Sequence, residues 1–106
     1  MIYLHVNPHV RPENFEEFLK VFKDEFLPVG TRCGMKLLGQ WQTAIGSVVP
    51  KEVTTIWVFE DLAHYQRCKE LQAKDEEYQK AVLKAQALIV ESTIKLIVPL
   101  PCSPLQ

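Results

Sequence analysis

Residues 39–63, GQWQTAIGSVVPKEVTTIWVFEDLA, decide the fold. They read as two apolar strands, over 35–43 and 53–59, around a connection that runs straight on into a helix start. Residues 45–50 between the strands are too many for a two-residue hairpin and read as a mobile loop. Asp61 is a good helix N-cap, because its carboxylate can accept a backbone N–H from the first turn. Alternation puts Val53, Trp57 and Phe59 on one face of the later strand, and Ile56 and Val58 on the other. Each strand carries a tryptophan, Trp41 and Trp57, at a position that suits a buried layer.

Working outward, the start of the chain reads as a strand over residues 2–6. Ile2, Leu4 and Val6 share one face, and Tyr3 and His5 the other. Asn7-Pro8 is expected to end it, since proline cannot donate to a strand ladder. Pro12 suits the first position of a helix, with Glu13 at the positive end of the helix dipole. Phe15, Phe18, Leu19, Phe22, Phe26 and Leu27 repeat at three- and four-residue spacing, which is one apolar helix face. Pro28, Gly30 and Gly34 are expected to bring that helix to its end.

After Asp61, the stripe Leu62, Tyr65, Cys68 and Leu71 predicts a second helix. Its phase slips near Lys74, where Asp75 reads as a second cap. Tyr78, Val82, Ala85 and Leu88 or Ile89 then continue a helical stripe. A fourth strand is expected over 93–98. Residues 99–106 begin with three prolines in six residues and are expected to leave the sheet as an extended arm. The division is therefore an α+β domain over 1–98 and a proline-rich arm over 99–106. The order β-α-β-β-α-β is the ferredoxin-like plan, an antiparallel sheet with helices on one face.

Helices can cover only one sheet face, yet Ile56, Val58 and Ile97 place apolar surface on the other. A soluble monomer rarely leaves such a patch open. Two copies packed sheet to sheet about a two-fold axis would close it. A homodimer is the expected assembly, with the proline-rich arm reaching over the partner.

Bulk composition narrows the function classes. At 106 residues, with 47% apolar and 24% charged residues, the chain has the make-up of one ordinary globular domain. A net charge of −1 with scattered basic residues argues against nucleic acid as a partner. No apolar run approaches the roughly 20 residues of a membrane span. The apolar start lacks a basic region and a cleavage site, so a cytoplasmic location is expected. Cys33, Cys68 and Cys102 are widely spaced and form no CxxC pair, which suits a reducing compartment.

The chain resembles the NIPSNAP family, within the dimeric α+β barrel superfamily. Three stretches carry the resemblance. Residues 39–46, GQWQTAIG, are similar to that family's glycine–aromatic–Thr–x–Ile–Gly run. Residues 55–62, TIWVFEDL, match its tryptophan–x–aromatic–x–Asp–Leu junction. Asp75-Glu76-Glu77-Tyr78 stands where the family shows Asp-Pro-Glu-Trp, and the proline-rich ending fits as well. The family's charged Glu-x-Arg-x-Tyr opening is absent, the first strand reading Ile2-Tyr3-Leu4-His5. The resemblance implies the dimeric barrel fold but no single reaction.

Candidate site residues follow from chemistry. His5 and Tyr3 share a strand face; if it lines the gap between sheet and helices, His5 could act as a general acid or base near neutral pH. A structural histidine is the competing reading. Trp41 and Trp57 could line an aromatic pocket for a planar ligand, with Tyr78 and with His64 closing it. Plain packing, or a solvated position for His64, is the alternative. The three histidines have no metal-ligand spacing, and no cofactor is expected.

Two functional readings stand. One is a NIPSNAP-like homodimer binding a small aromatic or apolar molecule, or a partner. The other is a small enzyme of the same superfamily, whose relatives include cofactor-independent monooxygenases, haem-degrading enzymes and isomerases.

Overall fold

The computed structural model describes residues 1–46 and 51–106. Four strands form one antiparallel sheet in the order β2-β3-β1-β4. They are β1 (Ile2–Val10), β2 (Lys36–Gln42), β3 (Lys51–Phe59) and β4 (Ile89–Ile97). Helices α1 (Phe15–Val21), α2 (Leu27–Arg32), α3 (Leu62–Lys74) and α4 (Glu76–Leu88) pack against one face. This is the ferredoxin-like α+β plan. The loop expected over 45–50 lies partly outside the described residues.

Strand β1 does not stop at Asn7-Pro8 but runs on to Val10. It lies between β3 and β4, where a proline leaves one carbonyl of its neighbour without a donor. The Asn7 side chain supplies it, its Nδ2 donating to the Val53 carbonyl at 2.7 Å. Pairing with β3 resumes at His9 opposite Glu52. Asn7, expected with Pro8 to end the strand, here repairs the ladder that its neighbour interrupts.

Pro28 likewise does not end the first helical run. Residues Phe22–Phe26 widen into a π-helical turn, and the Leu27 N–H reaches back to the Phe22 carbonyl. Pro28 thereby falls in the first turn of α2, where a missing N–H costs little. The end comes at Gly34, which takes a φ of +94° that favours glycine. Its N–H donates to Thr31 and that of Met35 to Gly30, both at 3.0 Å, a Schellman closure.

Both predicted aspartate caps are present. Asp61 accepts from the His64 N–H at 2.8 Å, and Asp75 from the Tyr78 N–H at 3.0 Å. Asp75 also holds Arg32 of α2 through a 2.7 Å ion pair, tying the α3–α4 junction to the end of the first helical run.

The inward face of α3 is rotated from the predicted stripe. Cys68 and Gln72 are buried and Tyr65 partly so, while Leu62 and Leu71 are 64% and 52% exposed. Strand β4 begins at Ile89, directly after α4, rather than at 93. Residues 99–106 turn back on themselves: the Ser103 N–H donates to the Leu100 carbonyl, and Tyr3 Oη donates to the Gln106 carbonyl at 2.8 Å. Residue 106 is thus held beside Tyr3.

Cross-strand pairing fixes the two faces. Leu4 lies opposite Trp57 and Leu96, and Val6 opposite Thr55 and Ile94, on the helix side. Tyr3 lies opposite Val58 and Ile97, and His5 opposite Ile56 and Lys95, on the open side. The main core gathers Ile2, Leu4, Met35, Trp57, Phe59 and Cys68 under the helices. A second cluster, Val10, Phe15, Phe18 and Val53, closes one end.

Candidate functional site

Strand β4 is one of the two sheet edges, and the helices do not fully cover its inward side. Ile94, which points to the helix side, stays exposed. Between that edge and the helices opens a cavity of about 540 Å³, within the size range of small-molecule sites.

One part of the wall is aromatic. Phe22 stacks on Phe26 at a 5.6 Å centroid separation, and both tilt against Trp57 at 6.0 Å. Phe26 also meets Tyr78 at 5.4 Å. These residues come from the π-helical turn, β3 and α4, so three elements must pack correctly to shape the wall. Phe22 and Phe26, four residues apart, face the same side, and the π turn that carries them is a form often found at functional positions.

A few polar groups interrupt the apolar lining. Thr55 is buried and accepts from Gln40 Nε2 at 3.2 Å. Gln72 is only 5% exposed, and its Nε2 donates to the Met35 thioether at 2.8 Å. Burial pushes the Tyr78 phenol up to about 12, so it stays protonated at neutral pH. Burial also raises the Cys68 thiol, which makes it a poor nucleophile. At the rim, Lys69 Nζ sits 5.7 Å above the Tyr65 ring.

The structure divides the predicted site residues between places. Trp57, 2% exposed, and Tyr78 line the cavity. Tyr3 and His5 lie on the open face instead, so the pair does not share the gap between sheet and helices. His5 Nε2 is enclosed without a hydrogen-bond partner among the described residues.

Trp41 also belongs to the open face, and it is 53% exposed. The cause is a register shift between Leu37 and Gly39. Leu37 faces Trp57, but beyond the shift Gly39 faces Ile56 and Trp41 faces Thr54. One extra residue inverts the alternation, which no count from the sequence would include. The Trp41 ring then lies over Gly39, where an added Cβ would come within 2.3 Å of it.

His64 neither closes the cavity nor stands free in solvent. Its Nδ1 accepts from the Glu60 N–H at 3.1 Å, leaving Nε2–H to donate to the Gly34 carbonyl at 3.1 Å. With Phe59 edge-on at 5.4 Å, it braces the start of α3 against the end of α2.

Sequence reasoning missed Phe22, Phe26 and Gln72 as site residues. The phenylalanines read only as part of one apolar helix face, and a glutamine one position after the expected Leu71 carries no apolar signal. Among the described residues, no group of three or more His, Cys, Asp or Glu side chains could hold a metal ion.

Comparison with known proteins bears on the same geometry. The sequence profile of the NIPSNAP family matches residues 9–104. A search of curated proteins gave no match. Among solved structures, the chain is similar to an uncharacterised NIPSNAP domain protein from Burkholderia xenovorans. The identity is 23%, with 98% of this chain and 99% of the other covered, and the TM-score is 0.85. A NIPSNAP family protein of unknown function from Agrobacterium tumefaciens is 26% identical, covering 100% of this chain and 94% of that one, at a TM-score of 0.82. An antibiotic biosynthesis monooxygenase shares the fold at 17% identity and a TM-score of 0.66, with 95% and 100% covered.

Proposed function

Since this chain belongs to the NIPSNAP family, whose solved relatives above are uncharacterised or of unknown function, we propose its function from its own geometry: a homodimeric protein that binds a small aromatic or apolar molecule. One observation carries this reading, the aromatic wall of Phe22, Phe26, Trp57 and Tyr78 around an open volume of about 540 Å³. Stacking against such rings stabilises a flat ligand beyond simple burial, by about 0.5–1.5 kcal/mol per pair. The buried polar side chains of the lining, Thr55 and Gln72, are uncharged, and Lys69 and Glu91 add one charge of each sign, which suits an uncharged molecule.

The homodimer rests on the open sheet face. Ile56, Ile97 and the half-exposed Trp41 share that side, away from the helices. A second copy packed there, sheet to sheet, would bury His5 and Trp41. Sedimentation giving a monomer at micromolar concentration would rule the dimer out. A cytoplasmic setting suits Cys33, Cys68 and Cys102, all free thiols.

Naphthalene is the simplest probe of the cavity. It should raise the melting temperature of the wild-type protein, and Val82→Trp, which plugs the wall from α4, should remove that shift. An equal shift in both proteins would place binding elsewhere and refute the reading.

A second reading, an enzyme of the monooxygenase type, is favoured by the likeness of fold to an antibiotic biosynthesis monooxygenase. It needs the same cavity and adds turnover. Oxygen consumption with a bound aromatic substrate would support it over binding alone.

A further inference from the structure

Among the described residues, Gln72 and Thr55 are the buried polar side chains, and both line this mostly apolar cavity. Thr55 has the Gln40 amide as a partner, but Gln72 is poorly served. Its Nε2 donates to the sulfur of Met35, a weak acceptor. Among the described residues its Oε1 has no hydrogen-bond partner, and it is not sealed from accessible space as His5 Nε2 is. The opposite amide orientation would set oxygen against sulfur, so the nitrogen belongs on Met35 and the oxygen is left as an acceptor. An amide oxygen kept in an apolar wall without a donor is costly to the fold unless something else supplies one.

Tyr78 lines the same cavity, and its hydroxyl has no hydrogen-bond partner among the described residues. The cavity therefore offers an acceptor and a phenol within an aromatic enclosure, with the cationic Lys69 at its rim.

We propose that Gln72 is the polar receptor of the cavity and selects uncharged aromatic molecules carrying a hydroxyl donor. The ring system stacks among Phe26, Trp57 and Tyr78, and the ligand's O–H donates to Gln72 Oε1. The Tyr78 hydroxyl is placed to complete the ligand oxygen's hydrogen bonding. An aromatic carboxylate would place its charge against Thr55 and Gln72, which are buried and neutral, and Lys69 with Glu91 in the lining offers no net opposite charge, so it is disfavoured. This assignment rests on the binding function proposed above and adds the ligand class.

Calorimetric titration with three probes tests it: naphthalene, 2-naphthol, and 2-methoxynaphthalene, which keeps the oxygen but lacks the donor. The wild-type protein should bind 2-naphthol about tenfold more tightly than either other probe, the worth of one well-made hydrogen bond in a dry site. Gln72→Leu should cut that preference to about twofold or less while naphthalene binding persists, which also shows the cavity intact. Gln72→Met serves the same purpose should the leucine variant fail to fold. If naphthalene binds but 2-naphthol is not preferred, or the preference survives loss of Gln72, the assignment is overturned while the binding function stands. If no probe binds the wild-type protein, both fall.

Discussion

Phe26 holds the aromatic wall together, and its removal should be felt in both stability and spectroscopy. It makes three ring contacts: Phe22 at 5.6 Å, Trp57 at 6.0 Å and Tyr78 at 5.4 Å. Truncating a buried phenylalanine to alanine costs about 3–5 kcal/mol, and Phe26 is partly buried, so Phe26→Ala should sit near the lower end, about 3 kcal/mol. Phe26→Leu keeps most of the apolar bulk and loses the ring pairs. Its cost should be about 1–2 kcal/mol, the scale of one or two aromatic contacts. Against a total stability of about 5–15 kcal/mol, both losses are measurable. Urea denaturation at one fixed protein concentration is the assay, with the slope of the transition unchanged between variants. Trp57 fluorescence, followed in a Trp41→Phe background, should shift to the red in the alanine variant as water reaches the indole. A loss below about 1 kcal/mol for Phe26→Ala, or equal losses for both variants, would refute the view that these ring contacts build the wall.

Three further outcomes follow from single interactions. Asp61→Ala removes the acceptor of the His64 N–H and should cost about 1 kcal/mol by denaturation, whereas Asp61→Asn should stay within a few tenths. Asn7→Ala orphans the Val53 carbonyl and should cost about 1–2 kcal/mol; adding Pro8→Ala supplies a backbone N–H there and should recover part of it. The carboxyl of Asp75 is held below its ordinary range by Arg32 hydrogen bonds first and the Tyr78 N–H second. A depressed folded-state pKa gives stability that is present above the unfolded value of about 3.9 and is lost as pH falls through the lower folded value. Asp75→Asn keeps a capping side chain and should flatten the acid limb of the melting temperature below about pH 4, leaving any remaining slope to other groups.

Much of the architecture was legible because its signals are local and periodic. The two faces of β1 and β3, the phenylalanine stripe and the caps at Asp61 and Asp75 all emerge from spacing and from what a side chain can reach. The misreadings came where one local rule met a compensating neighbour. Pro8 should end a strand, but the Asn7 amide fills the gap in the ladder. Pro28 should end a helix, but a π-helical turn places it where its missing N–H does no harm.

Trp41 and Trp57 read as a pair, and the register shift at Leu38 sends them to opposite faces. That shift depends on how two strands meet, which spacing within one strand does not encode. The site was harder still. Tyr78, on a helical stripe, and Trp57, on the face of β3 beneath the helices, were within reach as aromatic residues. Gln72 was not, because a polar residue contributes nothing to an apolar stripe; its importance comes from the cavity that surrounds it.

The central claim is that the helix-side cavity, and not the open sheet face, is the binding site. Intermolecular nuclear Overhauser contacts from naphthalene to assigned side chains test it most directly. Contacts should reach the ring protons of Phe26, Trp57 and Tyr78 and be absent at Trp41 and Ile56. Contacts confined to Trp41 and Ile56 would contradict the account, placing the ligand on the surface proposed for the second copy of the chain.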